Sequence, residues 1–238
     1  MTPVLIDVRG LKYRYDDGTR ALDGVDFRLQ RGESVALLGP NGSGKTTFIL
    51  HLNGLLTGEG SVEICGLQVN RRNLAEIRAK VGMVFQESDA QLFMPTVLED
   101  VAFGLLNRGM GAREAAERAH AALETVGIGT LAARAPYHLS AGEKKRAAIA
   151  GILAMEPEIL VLDEPTTFLD PPGQRALAGL LADLPQAKIL VTHDTAFADA
   201  ICSRAAFFQA GRIVAEGSVA DLARRFEWNF AMERTKSK

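Results

Sequence analysis

The ten residues GPNGSGKTTF, Gly39 to Phe48, restrict this chain more than any other stretch of it. Gly39, Gly44, Lys45 and Thr46 fall on G-x-x-x-x-G-K-T, the spacing of a phosphate-binding loop. Glycines let a backbone curl until consecutive N–H groups converge on phosphate oxygens, and the helix that follows presents its positive end to the same anion. A lysine placed here reaches the β and γ phosphates. A threonine hydroxyl suits Mg²⁺, which takes hard oxygen ligands. Pro40, Asn41, Gly42 and Ser43 within the loop, and Thr47 after it, complete the candidate phosphate cradle. Its setting agrees: ESVALLG, Glu33 to Gly39, predicts a buried strand, and KTTFILHLNGLL places Phe48, Leu52 and Leu55 at helical spacing.

The chain's 238 residues, 47% hydrophobic and 24% charged, suffice for one large domain or two small lobes. A net charge of −2 gives no basic footprint for nucleic acid. The short basic clusters NRRN, with Arg71 and Arg72, and EKKR, Glu143 to Arg146, read as solvated surface. Apolar runs stop well short of the ~20 residues that span a bilayer, and no signal peptide is expected. Cys65 and Cys202 lie far apart and read as small buried residues. His51, His120, His138 and His193 are scattered, so no transition-metal site is expected.

Along the chain, VLIDVRGLKYRY and ALDGVDFRLQ, separated by the turn signal DDG, predict an antiparallel sheet up to about residue 35. Residues 87 to 155 read as mostly helical, with Ala115, Ala119, Ala122 and Val126 on one helical face. The last third alternates the apolar runs EILVLDEP and KILVTHD with the helical QRALAGLLADL, the order of a parallel βαβ sheet. No internal repeat interrupts this, and the polar tail MERTKSK closes the sequence.

A phosphate loop serves many reactions, so the residues after it decide which one is run. ILVLDEP, Ile159 to Pro165, ends a buried strand in two acids. Asp163, at the carboxyl end of that strand, is placed to hold Mg²⁺, and Glu164 to polarise a water for in-line attack on a γ phosphate. In HLSAGEKKRAAIAGIL, Ser140, Ala141 and Gly142 open a helix whose free N–H groups suit a second anion. The same text also reads as a capping box between Ser140 and Glu143.

Taken in order, GPNGSGKTT, Gln86 of VGMVFQ, LSAGE (Leu139 to Glu143), ILVLDE, TFLD with Asp170, and His193 of VTHD resemble the ATP-binding-cassette ATPases over nearly the whole chain. The resemblance implies an α/β P-loop NTPase cassette with a RecA-like parallel sheet core, an antiparallel β subdomain and an inserted helical subdomain. A single domain is expected, with residues 1–86 and 156–238 forming core and β subdomain and 87–155 the helical part. It also implies ATP and Mg²⁺ as cofactors and a second ATPase subunit, identical or not, packed head to tail. Each ATP would lie between one subunit's phosphate loop and the signature Leu139, Ser140, Ala141, Gly142 and Glu143 of the other. Gln86 would assist Mg²⁺ beside Thr46 and Asp163, His193 would contact the γ phosphate, and Tyr15, rather than Tyr13, would stack on adenine. Two residues depart from the family pattern. Ala141 stands where the signature usually has its first glycine, and Phe168 in TFLD puts a large ring near the expected subunit interface.

The stretch VFQESDAQLFMPTVLEDVAFGLLNRGMG and the run SAGEKKRAAIAGILAMEP are similar to the energy-coupling-factor importers, in particular their cobalt and nickel ATPase subunits. That similarity implies a transmembrane scaffold subunit, a separate membrane protein that binds the cargo, and a place on the cytoplasmic face of a bacterial or archaeal membrane. Pairing through the longer C-terminal region of many relatives is not expected after GRIVAEGSVADLARRFEWNF. A vitamin such as biotin, or another small solute, is the alternative cargo, and a soluble cassette outside transport the remote one. Leu92, Phe93, Met94, Pro95, Val97 and Leu98, just after Gln86, read either as core or as a groove for a partner's helix.

Overall fold

The computed structural model describes residues 2–86 and 91–228. Glu87, Ser88, Asp89 and Ala90 of the stretch after Gln86, and the tail MERTKSK, lie outside the described residues.

Strands β1 (Val4–Arg14) and β2 (Arg20–Gln30) form the expected antiparallel pair, with Ile6 opposite Leu29 and Val8 opposite Phe27. With β4 (Glu59–Ile64) and β5 (Leu67–Gln68) they make a four-stranded sheet in the order β2-β1-β4-β5. The second sheet combines β3 (Ser34–Leu38), β6 (Val81–Val84), β7 (Ile159–Asp163), β8 (Ala187–Val191), β9 (Arg204–Gln209) and β10 (Arg212–Gly217). Its order is β10-β9-β3-β8-β7-β6, parallel throughout except for β10, which runs antiparallel to β9.

Every residue of β3, β7 and β8 is buried, as strands covered on both faces require. Alternation assigns each residue to a face. Val35 and Leu37 of β3 pack with the antiparallel sheet and with Phe48 and Ile49 of α1 (Lys45–Leu52), whereas Ala36 and Leu38 face the helices on the other side. There α3 (Val97–Asn107), α4 (Ala112–Thr125) and α5 (Ala141–Leu153) pack on one another, α4 burying the expected Ala115, Ala119 and Ala122, with Val126 just past its end. A capping box between Thr96 and Glu99 starts α3.

One helical expectation overran. Leu55 lies beyond α1 and is 52% exposed, because Asn53 and Gly54, at φ 65°, reverse the chain and let the Leu55 N–H donate to the Leu50 carbonyl at 3.0 Å. That six-to-one bond at a left-handed glycine is a usual helix stop. Cys202 is buried as expected, whereas Cys65 is only half-buried.

Strand order positions the site. β3, β8, β7 and β6 are neighbours and parallel, so the segments leaving their carboxyl ends line one edge of the sheet. Those segments carry Gly39–Thr47, His193, Asp163–Glu164 and Gln86, four stretches that the sequence holds up to 154 positions apart (193 − 39).

Candidate functional site

The loop after β3 is shaped by clearances inside the subunit. Gly39 has φ 133°, and a Cβ there would lie 2.1 Å from the Phe208 carbonyl oxygen. Gly44 has φ 107°, and its Cβ would lie 2.5 Å from the Ala21 carbonyl oxygen. Only glycine satisfies both demands. Gly44 is also the N-cap of α1 and offers no side chain to cap it, so the first N–H groups of the helix remain available to a ligand.

Lys45 comes next, 6% exposed, its Nζ donating to the carbonyls of Gly39 at 2.6 Å and Pro40 at 2.9 Å. Burial pushes its pKa down, against the pull of Glu164 and Asp163. Thr46 Oγ1 donates to Asp163 Oδ2 at 3.3 Å, and Thr47 Oγ1 lies 2.9 Å from the Tyr15 hydroxyl. Ser43 Oγ is buried without a partner, while its N–H donates to the Pro40 carbonyl at 3.2 Å.

Across the loop, burial pushes the Asp163 carboxyl up, opposed by the Thr46 hydrogen bond and by Lys45, Lys145 and His193. Glu164 turns at φ 45°, its N–H donating to the Val191 carbonyl at 2.8 Å. Burial raises its carboxyl too, and the His193 N–H, donating at 3.4 Å, opposes this. His193 Nε2 lies 3.1 Å from Glu164 Oε1, and burial together with Lys45 pushes the imidazole toward its neutral form. Tyr15, Asn41, Gly42, Gly44 and Lys45 to Thr47 line a single cavity of about 660 Å³ with Gln86, Asp163, Glu164 and His193. Tyr13, by contrast, packs edge-on against Tyr15 and His51 and lines a different cavity. The Thr46 hydroxyl and the Asp163 carboxylate supply hard oxygens side by side on the wall facing Lys45, a donor set that fits Mg²⁺.

The second group of residues is kept apart. Ser140, Ala141, Gly142, Glu143, Phe168 and Asp170 line another cavity, of about 590 Å³, that shares no residue with the first. Leu139 is not among them; its side chain is buried in the helical core and anchors the turn from below. Ser140 caps α5 with a full capping box, accepting from Glu143 N–H at 3.3 Å while its own N–H and hydroxyl donate to Glu143 Oε2, each at 2.7 Å. Asp170 caps α6 (Pro171–Asp183), accepting from the Gly173 N–H at 2.8 Å.

Sequence reasoning missed several contributors, among them Lys145, Gln91 and Thr167. Lys145, read with EKKR as solvated, is 3% exposed and donates to the Gln86 carbonyl at 3.0 Å. α5 carries it inward, and its ammonium meets the bend at Gln86, some sixty residues upstream. Gln91 bridges the same bend, accepting from Phe85 N–H at 3.0 Å and donating to the Met83 carbonyl at 3.2 Å. Thr167 joins the wall of the first cavity. Arg71 and Arg72 are exposed, as expected.

The ABC transporter family model matches residues 22–167. The energy-coupling factor transporter ATP-binding protein EcfA of Methanothermobacter thermautotrophicus is 48% identical over 229 residues, spanning 94% of this chain and 74% of that protein. The structure of cbiO1 from Clostridium perfringens, part of the ABC transporter complex cbiONQ, superposes with a TM-score of 0.85 at 36% identity, covering 94% of this chain and 92% of that one. A dimeric, post-hydrolysis structure of the ATP-binding cassette MJ0796 bound to ADP and Pi superposes with a TM-score of 0.81 at 29% identity, covering 90% and 99%.

Proposed function

The chain belongs to the ABC transporter family as an ATP-hydrolysing subunit, and we propose that it energises an importer of the energy-coupling-factor type with cobalt or nickel ions as cargo. The carrying observation is the division of the site. Lys45, Asp163, Glu164 and His193 share one cavity, while Ser140 and Gly142 line a second that has no lining residue in common with it. A second ATPase subunit, packed head to tail, brings each signature over the other's phosphate loop, and the dimeric MJ0796 cassette is similar in fold.

In this reading Tyr15 stacks on the adenine, Lys45 and the free N–H groups of α1 hold the β and γ phosphates, and Ser140 and Gly142 of the partner touch the γ phosphate. Thr46, Asp163 and Gln86 hold Mg²⁺, whose charge offsets that of the phosphates when bound. Glu164 orients the attacking water and draws off its proton, for which a carboxyl raised by burial is better matched than an ordinary one. His193 leaves Glu164 for the γ phosphate. Among the described residues no helix is long and apolar enough to cross a membrane. In the importer reading the membrane is crossed by partner subunits, a scaffold and a cargo-binding protein, and this subunit works on the cytoplasmic face. Similarity to EcfA and to cbiO1 supports the importer type. A vitamin such as biotin, or another small solute, is the second reading of the cargo.

The scaffold's docking place is the segment after Gln86, where the expected groove divides between two side chains. Leu92 packs against the helical core. Phe93 is 63% exposed, its ring edge-on to Phe103 at 4.9 Å, and Asp100 holds the segment by accepting from Phe93 N–H at 2.9 Å and Met94 N–H at 3.0 Å. Phe93→Asp is therefore expected to leave folding and the isolated ATPase intact while the subunit stops co-purifying with its membrane partners, since a carboxylate is costly to desolvate. Co-purification with metal uptake at the wild-type level overturns the docking assignment. Cobalt or nickel bound to the intact membrane complex, against biotin, separates the two cargoes.

A further inference from the structure

One edge of the His193 ring lies against Glu164, and a residue far along the chain stacks loosely beside the ring, whose side chain stays 42% exposed. The indole of Trp228 lies over the imidazole with ring centroids 5.8 Å apart and planes inclined at 27°. Trp228 comes there by a sharp reversal at the end of α8 (Val219–Arg225). The Trp228 N–H donates to the Ala223 carbonyl at 2.8 Å, the Glu227 N–H donates to the Arg224 carbonyl at 3.2 Å, and Glu227 between them sits at φ 51°. This paired reversal normally has glycine at the left-handed position. A residue with a Cβ is disfavoured there, so the side chains on either side of Glu227 have to hold the turn.

Both of those side chains are aromatic. Phe226 stacks flat on Phe207 of β9 at 3.8 Å and 7°, and Trp228 meets the same Phe207 edge-on at 5.4 Å and 88°. Phe207 is buried in the sheet, so the indole is mounted on a rigid element and not on a loose end. His193 and Trp228 both line an open cavity of about 840 Å³, with Asp194, Asp199 and Val219. Remove the indole and the cavity widens where the ring now stands, giving the imidazole more room to turn. A side chain held near its reacting geometry by packing keeps the orientation that catalysis needs, and one free to turn must be fixed again at each turnover.

We propose that Trp228 is a positioning residue for His193, holding the imidazole toward Glu164 and the phosphate cavity and tying helix α8 to the state of the nucleotide. This rests on the reading of His193 as the γ-phosphate contact.

Trp228 is the chain's single tryptophan, so the emission comes from this indole alone and the His193→Ala comparison isolates its contact with the imidazole. In a Glu164→Gln background, expected to bind ATP but hydrolyse it slowly, Mg-ATP is expected to change the emission, and His193→Ala to abolish that change. Trp228→Ala is expected to lower kcat about tenfold while the KM for ATP stays within about twofold, and Trp228→Phe to restore most of the loss. Two results overturn the proposal: a Trp228→Ala variant, folded by circular dichroism, with kcat within about twofold of wild type, or an Mg-ATP emission response unaltered by His193→Ala. Should Trp228→Ala lose its folded signal, the emission titration with and without His193→Ala decides. If His193→Ala itself turns over normally, the γ-phosphate reading fails and takes this proposal with it; if that variant is dead while Trp228→Ala is not slowed, only the positioning role falls.

Discussion

Helices α1 and α5 both begin with small residues suited to an anion, yet the protein finishes the two starts differently. At α1 the N-cap is Gly44, no side chain caps it, and the glycines are demanded from within, since any Cβ at Gly39 or Gly44 strikes backbone of the same subunit. At α5 the N-cap is Ser140, bonded reciprocally to Glu143. Gly142 has no positive φ, and a Cβ there would meet Leu169 at an ordinary 3.7 Å. Ala141 occupies the first helical position without a left-handed backbone, so its methyl is accepted. No side chain caps the start of α1, whereas at α5 the capping box takes up the N–H groups of Ser140 and Glu143 and holds the turn in shape. A glycine demanded from within and a turn closed by its own side chains are thus separate devices at the two helix starts.

The largest effect tests the α1 side. Lys45→Ala removes the cation held between the loop carbonyls and facing two carboxylates, and it is expected to lower ATP turnover by about 10³-fold or more, because charge stabilisation aimed at a transition state is among the largest catalytic terms. Steady-state phosphate release measures it, and near-wild-type turnover would reject the α1 cavity as the reacting one.

Next come the glycines, where stability and activity should separate. Gly39→Ala forces a methyl against the Phe208 carbonyl at a left-handed position and is expected to cost about 3 kcal/mol, read as a drop in the denaturation midpoint. Gly142→Ala should change stability by less than about 0.5 kcal/mol, yet lower kcat about tenfold by crowding the face offered to the partner's nucleotide. Equal stability losses at the two sites would dissolve the contrast between an inward and an outward glycine.

Much of this was legible in the sequence because it rests on local regularities. The short apolar runs ending at Leu38, Asp163 and Val191 read as buried strands, and a parallel sheet then brings their carboxyl ends to one edge whatever lies between them. The capping box at Ser140 was readable for the same reason, three residues apart on one turn. Lys145 was not. Its i+4 neighbours place it on the buried side of α5, but a lysine in EKKR carries no sign that the carbonyls of Phe85 and Gln86 wait for it across the core. Trp228 on His193 and Gln91 across the bend after β6 are contacts of the same kind, set by where distant elements pack and not by spacing. Leu55 failed through a competing local rule, the Asn-Gly stop that outranked its helical period.

The smallest expected effect falls on the outward face, at Phe168. Its ring is 79% exposed beside Ser140 and Asp170, and its backbone sits at φ 67°. A phenylalanine held left-handed gains little from packing within this subunit, so the isolated protein has no use for it. Phe168→Gly frees the backbone from that conformation but gives the unfolded chain more freedom, and the balance is a gain of about 0.5 kcal/mol, or a rise of about 1–2 °C in Tm. If the ring is buried when two subunits close, the same change weakens Mg-ATP-driven dimerisation, by about tenfold for an aromatic that loses most of its contact. Opposite signs in the two measurements, thermal melts of the monomer and size exclusion of a Glu164→Gln background with Mg-ATP, place Phe168 in the interface beside the signature. A variant that melts lower and still dimerises normally would instead make the ring a prop for the turn between β7 and α6, and the bare face of α5 would then end at Gly142.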